Sequence, residues 1–320
     1  MKFIKDLFWN DEQGRLRAAY RILIQLTLFF ILMKGLAALL DIPDEITGNM
    51  ALWIYLAVAG VRLFRVLISV WLAGRFLDHR PFADFGFHFN KNWWQELGFG
   101  ALLGIFLIGC VFLVELAAGW VTITSTIYTS SNSQNFIVPF LVFMFLFSCV
   151  GFSEELNSRG YHLKNIAEGF NLNKIGPKYA ILIAVVLSSL LFGLFHLGSP
   201  GVTFLSLITI ILMSILLGIA YALTGRLALP IGVHITWNLF QGNVFGFPVS
   251  GTTFPADTVS FFSTIKSGPE LWTGGTFGPE GGLVGLFAVL VGILLIFAWA
   301  RFREGKINLA SHLAQSPPRD

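Results

Sequence analysis

Ionisable residues of the kinds used in hydrolysis occur at helical spacing in an otherwise apolar sequence. Glu155 and Arg159, within S-E-E-L-N-S-R-G, are spaced i, i+4 and can pair on one helical face. Glu154 then points about 100° away, toward a different neighbour. An arginine partner keeps one carboxylate ionised, while the adjacent carboxylate in a low-dielectric pocket can hold a proton more tightly, as a general base requires.

Two later stretches contain imidazoles at the same spacing. Phe192 and His196, in F-G-L-F-H, place an aromatic ring and an imidazole on one predicted helical face, and His234 and Asn238, in H-I-T-W-N, repeat the pattern. Each piece alone is more often a structural group than a catalytic one. Together they provide carboxylates, imidazoles and a carboxamide on three segments that can converge. The sequence contains no H-E-x-x-H zinc motif and no G-x-S-x-G nucleophile elbow.

The elements that must position these residues are transmembrane helices. Hydrophobic residues make up 55% of the 320 positions and charged residues 12%, which is too few charges for a water-soluble domain of this size. Apolar stretches of about 17–25 residues are long enough to cross a hydrocarbon core of about 30 Å. We predict an all-α polytopic bundle of about eight helices, with the fourth to seventh forming the catalytic core. The predicted spans are residues 22–40, 51–74, 97–120, 136–152, 179–197, 202–224, 227–244 and 283–300.

The seventh span is short and contains Pro230, so we expect either a normal crossing or a tilted or partly re-entrant helix buried among the others. A long polar and glycine-rich stretch follows it and is expected to fold back over the bundle. The predicted organisation is a terminal segment 1–21, helices one to three in 22–135, a core 136–244, an outer loop 245–282, a final helix 283–300 and a tail 301–320.

The charge distribution predicts the orientation. Lys and Arg occur in every other loop, with only Lys266 on the opposite side, so both termini are predicted to be cytoplasmic in a multi-pass protein of a prokaryotic plasma membrane. The net charge of +3 is explained by flanks that favour anionic lipid headgroups, and it implies no nucleic acid. Among charges at membrane depth, Lys34 and Glu115 are expected to form an ion pair. Arg62 and Arg65 either pair with carboxylates or bind the carboxyl terminus of a peptide.

The order E-E-x-x-x-R, F-x-x-x-H and H-x-x-x-N on successive helices resembles the CPBP family of intramembrane proteases, which are related to the type II CAAX prenyl protease and are also called the abortive-infection (Abi) family. The resemblance covers residues 136–244 closely and residues 273–282 more weakly. It implies that Glu155 and Arg159 support the active site and that Phe192 lines the substrate pocket.

The same resemblance implies that Glu154 and His196 activate the hydrolytic water, while His234 and Asn238 stabilise the oxyanion. An imidazole and a carboxamide can both donate hydrogen bonds to a developing negative charge. The chain departs from many family members at Ser158, where they have an aromatic residue.

The cofactor and the substrate stay open at this point. The family has been described both as metalloproteases and as glutamate-dependent proteases, and Glu154, His196 and His234 are a chemically reasonable zinc set. Zinc is therefore an allowed cofactor and not a required one. Expected partners are a peptide or membrane-protein substrate and membrane lipids. The alternatives are a non-catalytic scaffold or bacteriocin-immunity factor of the same fold, and a transporter, which would predict an inverted repeat that the sequence lacks.

Overall fold

The computed structural model describes residues 2–43, 51–129, 135–253 and 259–317. Its architecture is almost entirely helical. The helices in chain order are α1 (Lys2–Phe8), α2 (Ala18–Leu40), α3 (Leu52–Ala73), α4 (Lys91–Ala117), α5 (Ile137–Glu155), α6 (Lys164–Phe170), α7 (Gly176–Leu194), α8 (Phe204–Thr224), α9 (Ala228–Leu239), α10 (Glu270–Thr273) and α11 (Leu283–Glu304). Segments of π-helix extend α3 (Gly74–Asp78), join α5 to α6 (Leu156–Leu163) and extend α9 (Phe240–Val244).

Seven helices of the described chain are long and apolar enough to cross a membrane. Each has at least 19 residues, which is long enough to cross a hydrocarbon core because spanning helices need about 17–25 residues. The prediction of a polytopic all-α bundle is therefore confirmed. The seventh predicted span, residues 227–244, corresponds to α9 with its π-helical extension, which is shorter than the seven helices and is buried along most of its length. It matches the alternative of a helix enclosed by the others. The seven spans are 18–40, 52–78, 91–117, 137–170, 176–194, 204–224 and 283–303.

A buried cluster of charges joins segments that are distant in sequence. Arg15, before α2, donates to the carbonyl oxygen of Asp78 at 2.7 Å and to the carboxylate of Glu168 in α6 at 2.6 Å. Arg80 also pairs with Glu168, and it donates to the carbonyl oxygen of Gln315 at 2.5 Å. The chain before α2 and the chain after α11 therefore lie together, and we call this side of the bundle the terminal end.

The opposite side, which we call the sheet end, has an antiparallel pair of strands, β3 (Val121–Thr129) and β4 (Val259–Lys266). A smaller antiparallel pair, β1 (Trp9–Asn10) and β2 (Arg15–Leu16), precedes α2. Phe245 stacks on Phe112 of α4 with ring centroids 4.3 Å apart. The segment after α9 thus folds back over the bundle, as the sequence predicted, while the strand pairing itself was not predicted.

Helix α9 packs unusually close to its neighbours because glycines line the contacts. A Cβ atom on Gly100 of α4 would lie 2.3 Å from the carbonyl oxygen of Leu229, and one on Gly104 would lie 2.6 Å from that of Val233. These two glycines form a G-x-x-x-G pattern, which allows helices to approach closely in membranes. On the other side of α9, a Cβ on Gly151 of α5 would lie 2.7 Å from Ile235. This close packing sets the position of His234 and Asn238.

The predicted ion pair between Lys34 and Glu115 is wrong. Glu115 is fully buried in α4 and neither of its carboxyl oxygens has a hydrogen-bond partner among the described residues, whereas Lys34 is exposed on α2. The cation that acts electrostatically on Glu115 is Lys266 at the end of β4. Similar depth on two helices did not make them neighbours, because α2 packs on α3 and α6 instead.

Candidate active site

Glu155 connects two of the three predicted motifs. Its Oε1 accepts a hydrogen bond from Arg159 at 2.9 Å and lies 2.8 Å from His234 Nδ1. Arg159 is buried and also donates to the carbonyl and hydroxyl oxygens of Ser214 in α8, at 2.9 and 2.6 Å. The motif crosses from α5 into π-helix, a transition that is frequent at functional sites. These contacts fix the ring of His234 in one orientation.

Glu154 faces a different neighbour from Glu155, as the sequence predicted. Its Oε1 forms an ion pair with Arg62 of α3, which agrees with the prediction that Arg62 pairs with a carboxylate. Its Oε2 lies 3.7 Å from His234 Nε2. The two adjacent carboxylates thus contact opposite nitrogens of one imidazole. Because a carboxylate can only accept, Nδ1 of His234 is the nitrogen that donates to Glu155.

Phe192 and His196 are close together, but the helix does not include both. Helix α7 ends at Leu194, so His196 lies in the following turn and the prediction that it stands on the helix is wrong. Its Nδ1 still lies 3.0 Å from the carbonyl oxygen of Phe192, and their ring centroids are 4.7 Å apart. Since a carbonyl oxygen only accepts, Nδ1 carries the hydrogen, and Nε2 of the neutral ring has a free lone pair. The Phe192 ring also lies 4.8 Å from the guanidinium of Arg159.

One cavity of about 390 Å³ inside the bundle is lined by the four side chains to which catalytic roles were assigned, namely Glu154, His196, His234 and Asn238. Helices α2, α3, α5, α7, α8 and α9 all contribute to its wall. Asn238 is 8% exposed, and its amide has no hydrogen-bond partner within the described ranges, so it is available to a ligand. The cavity-lining members of the three motifs are Ser153, Glu154, Asn157, Ser158, Phe192, Phe195, His196, His234, Trp237 and Asn238.

Residues 135–240 match the family described as Type II CAAX prenyl endopeptidase Rce1-like. The three motifs lie within this segment. The matched segment covers less than half of the 320 residues, and we call it the Rce1-like domain. The match agrees with the resemblance found in the sequence, and it supports a CAAX-type intramembrane protease function for a multi-pass membrane protein. No curated protein and no solved structure matches the chain.

The suggested zinc ligands of the Rce1-like domain do not form a metal site in the observed geometry. Among the described residues, no group of three or more His, Cys, Asp or Glu side chains is arranged to hold a metal ion. Glu154 already pairs with Arg62, and a guanidinium next to a ligand carboxylate opposes the binding of a cation. Glu154, His196 and His234 therefore share a cavity without forming a ready coordination sphere.

Sequence reasoning missed an acidic cavity residue outside the Rce1-like domain, Glu280. Glu280 lies in a 3-10 turn (Pro279–Gly281) directly before α11, and it lines the same cavity as Glu154 and His196. The only signal in the sequence was the weak family likeness of residues 273–282. Its position could not be predicted, because a loop between helices gives no periodicity from which to infer a facing side.

Proposed function

We propose that this chain is an intramembrane endopeptidase that hydrolyses a peptide bond with a water molecule activated by Glu154. The observation that supports this most is the shared cavity inside a membrane-spanning bundle, which is lined by a carboxylate from α5, an imidazole from the turn after α7, and an imidazole and a free carboxamide from α9. The match of residues 135–240 to CAAX-type proteases is in agreement. Glu154 lies near the middle of the continuous 34-residue helix 137–170, well away from both ends.

In the proposed reaction, water binds between Glu154 and His196. Glu154, acting with the Nε2 lone pair of His196, takes a proton from the water as its oxygen attacks the carbonyl carbon of the peptide. The C–O bond forms while the carbonyl π bond opens to an oxyanion. The proton then passes to the amide nitrogen as the C–N bond breaks, which gives a carboxylic acid and an amine, and proton exchange between these products leaves a carboxylate and an ammonium group.

His234 and Asn238 are proposed to stabilise the oxyanion. Nδ1 of His234 donates to Glu155, so a hydrogen bond from Nε2 to the oxyanion requires the doubly protonated ring, a form that two neighbouring carboxylates stabilise. The unpartnered amide of Asn238 would provide a second donor. Donors that are already oriented need no reorganisation when charge develops on the substrate.

Arg159, Glu155 and Phe192 are proposed to position these groups. Arg159 holds Glu155 through an ion pair, and Glu155 holds His234. The ring of Phe192 stacks on Arg159 and its carbonyl oxygen accepts from His196, so it links the two halves of the site. Phe192 also forms part of the cavity wall that a substrate side chain would contact.

Replacing Asn238 with Ala should lower kcat by about 10²–10³-fold with a smaller change in KM, because one oxyanion donor is removed and acts mainly in the transition state. The measurement is steady-state cleavage of a fluorogenic peptide by purified protein. Asn92→Ala, an exposed asparagine near the start of α4, is the matched control and should retain full activity. An Asn238→Ala variant with wild-type kcat would remove this residue from the mechanism.

Chelation should leave the rate of cleavage unchanged, because Arg62 occupies one oxygen of Glu154 and the three suggested ligands do not form a coordination group. The measurement compares activity before and after dialysis against EDTA and 1,10-phenanthroline, with metal content measured in parallel. Loss of activity that added zinc restores would show that these side chains rearrange into a zinc site.

The rival function is a non-catalytic scaffold or immunity factor that uses the same bundle to recruit a partner. It is tested by incubating purified wild-type protein with a prenylated lipopeptide and with a peptide library, followed by mass spectrometry. Defined fragments from wild type support the protease. A folded wild-type protein that cleaves nothing, while Glu154 and His196 variants retain the cellular phenotype, would favour the scaffold.

We further propose that the terminal end faces the cytoplasm and that the host membrane is a prokaryotic plasma membrane. The basic loops at that end support this orientation through their attraction to the cytoplasmic side. The proposed substrate class is a peptide or membrane protein, with membrane lipids surrounding the bundle.

A further inference from the structure

Glu280 brings a second carboxyl group to the wall of the catalytic cavity. It is only 6% exposed, and its Oε1 accepts hydrogen bonds from the backbone N–H and, at 3.0 Å, the hydroxyl of Ser250. Both residues line the cavity. Glu280 lies directly before α11 at the sheet end, whereas Glu154 lies in the middle of the helix 137–170. The two carboxylates therefore occupy different levels of one cavity.

The loop that presents Glu280 is built for close packing. Gly274 and Gly278 have φ values of 72° and 114°, and a Cβ on Gly278 would lie 2.4 Å from the carbonyl oxygen of Pro248. The intervening Phe277 is fully buried and packs in one cluster with Phe192 of the Rce1-like domain. Substitution at such glycines would strain the backbone. The turn that presents Glu280 is therefore anchored by Phe277, which packs in one cluster with Phe192 beside the candidate active site.

The ionised form of Glu280 has no Lys or Arg side chain to balance it among the described residues. Among the described residues, no Lys or Arg forms an ion pair with it, and the titratable group that acts on it is His196. Burial raises the pKa of Glu280, while its hydrogen bonds to Ser250 oppose that change. Burying a carboxyl group without a counterion costs free energy, so structures usually supply a partner. The missing partner here is most simply a ligand.

We propose that Glu280 forms a substrate subsite that binds a positively charged group, a Lys or Arg side chain of the peptide. This subsite lies on the side of the scissile bond that faces the sheet end. An ammonium or guanidinium supplies the donors that a carboxylate accepts best, and its charge favours the ionised carboxyl. A free α-amino group has the same chemistry and is distinguished in the test. This inference rests on the proposed peptidase function, and it extends that function by assigning a preference for basic residues.

The test compares wild type, Glu280→Gln and Glu280→Lys on peptides that differ only in one Lys, norleucine or Glu, each prepared with an acetylated and with a free N-terminus. Gln retains the hydrogen-bond acceptor for Ser250 and removes the charge. Wild type should prefer the Lys peptide, and Glu280→Gln should lower its kcat/KM by about 30-fold or more while sparing the norleucine peptide. Glu280→Lys should favour the Glu peptide. Glu270→Gln, an exposed glutamate of the same loop outside the cavity, should leave the profile unchanged.

The outcomes separate this inference from the function on which it rests. If wild type cleaves peptides without preferring Lys and Glu280→Gln has the same profile, the subsite is wrong and the protease stands. If cleavage depends on a free N-terminus and not on the Lys side chain, the bound group is the α-amino group and the side-chain assignment is wrong. If wild type cleaves nothing, binding of the same labelled peptides is measured. Wild type that binds the Lys peptide no better than the norleucine peptide also rejects the subsite.

Discussion

Replacing Glu154 with Gln should lower kcat for peptide cleavage by about 10²–10⁴-fold, the range that a general base contributes. Gln has nearly the same size and its oxygen can still accept from Arg62, but the side chain cannot take a proton from water. The loss should therefore appear in kcat and kcat/KM alike, since the substrate-binding surface is preserved. Steady-state kinetics on a fluorogenic peptide in detergent or proteoliposomes provide the measurement.

Two controls make the result for Glu154 interpretable. The unfolding midpoint of Glu154→Gln should match that of wild type, which separates a chemical defect from a folding defect. Glu12→Gln, at an exposed glutamate of the terminal end, should keep full activity. Wild-type kcat in a homogeneous, folded Glu154→Gln preparation would contradict the assignment of this residue as the base.

The largest expected effect on stability is at Glu168, where Glu168→Gln should lower the free energy of unfolding by about 3–5 kcal/mol. Its carboxylate accepts from Arg15 at 2.6 Å and from Arg21 at 3.2 Å, and it also pairs with Arg80. All four side chains are almost completely buried. Removing the anion leaves three guanidinium groups with Asp78 as the buried carboxylate that remains.

Unfolding of purified protein in a denaturing detergent, followed by circular dichroism, measures this effect. Glu12→Gln serves again as the control and should change the free energy of unfolding by no more than about 0.5 kcal/mol, as surface substitutions usually do. Because the cluster joins the chain ends to α3 and α6, proteolysis near residue 15 should also become faster in Glu168→Gln. Unchanged unfolding and unchanged proteolysis would show that the cluster contributes little net stability.

The bundle was predictable because lipid imposes a simple rule on sequence. Long apolar stretches must become helices where no water is present to satisfy backbone groups, so composition alone located the spans. Helix neighbours were less predictable, as the failed pairing of Lys34 with Glu115 shows. The close approach of α4 to α9 had a signal in Gly100 and Gly104, whose spacing permits it, but the pattern does not say which helix comes close.

The candidate site was predictable where residues occur at i, i+4 within one helix. Glu155 does contact Arg159, and Phe192 does contact His196, although α7 ends before His196. The contact of Arg62 with Glu154 was only one of two open alternatives, because sequence spacing carries no information between helices. Glu280 was not found at all, since its position depends on how a loop packs over the bundle.

The most direct test of an intramembrane hydrolase is cleavage of a transmembrane peptide library in proteoliposomes prepared in H₂¹⁸O. Mass spectrometry then identifies both fragments of each product pair and the isotope content of the new carboxyl group. The proposed mechanism predicts fragment pairs whose new carboxylate contains ¹⁸O, formed by wild type and not by Glu154→Gln. Equal amounts of labelled fragments from both proteins, or none from folded wild type, would contradict it.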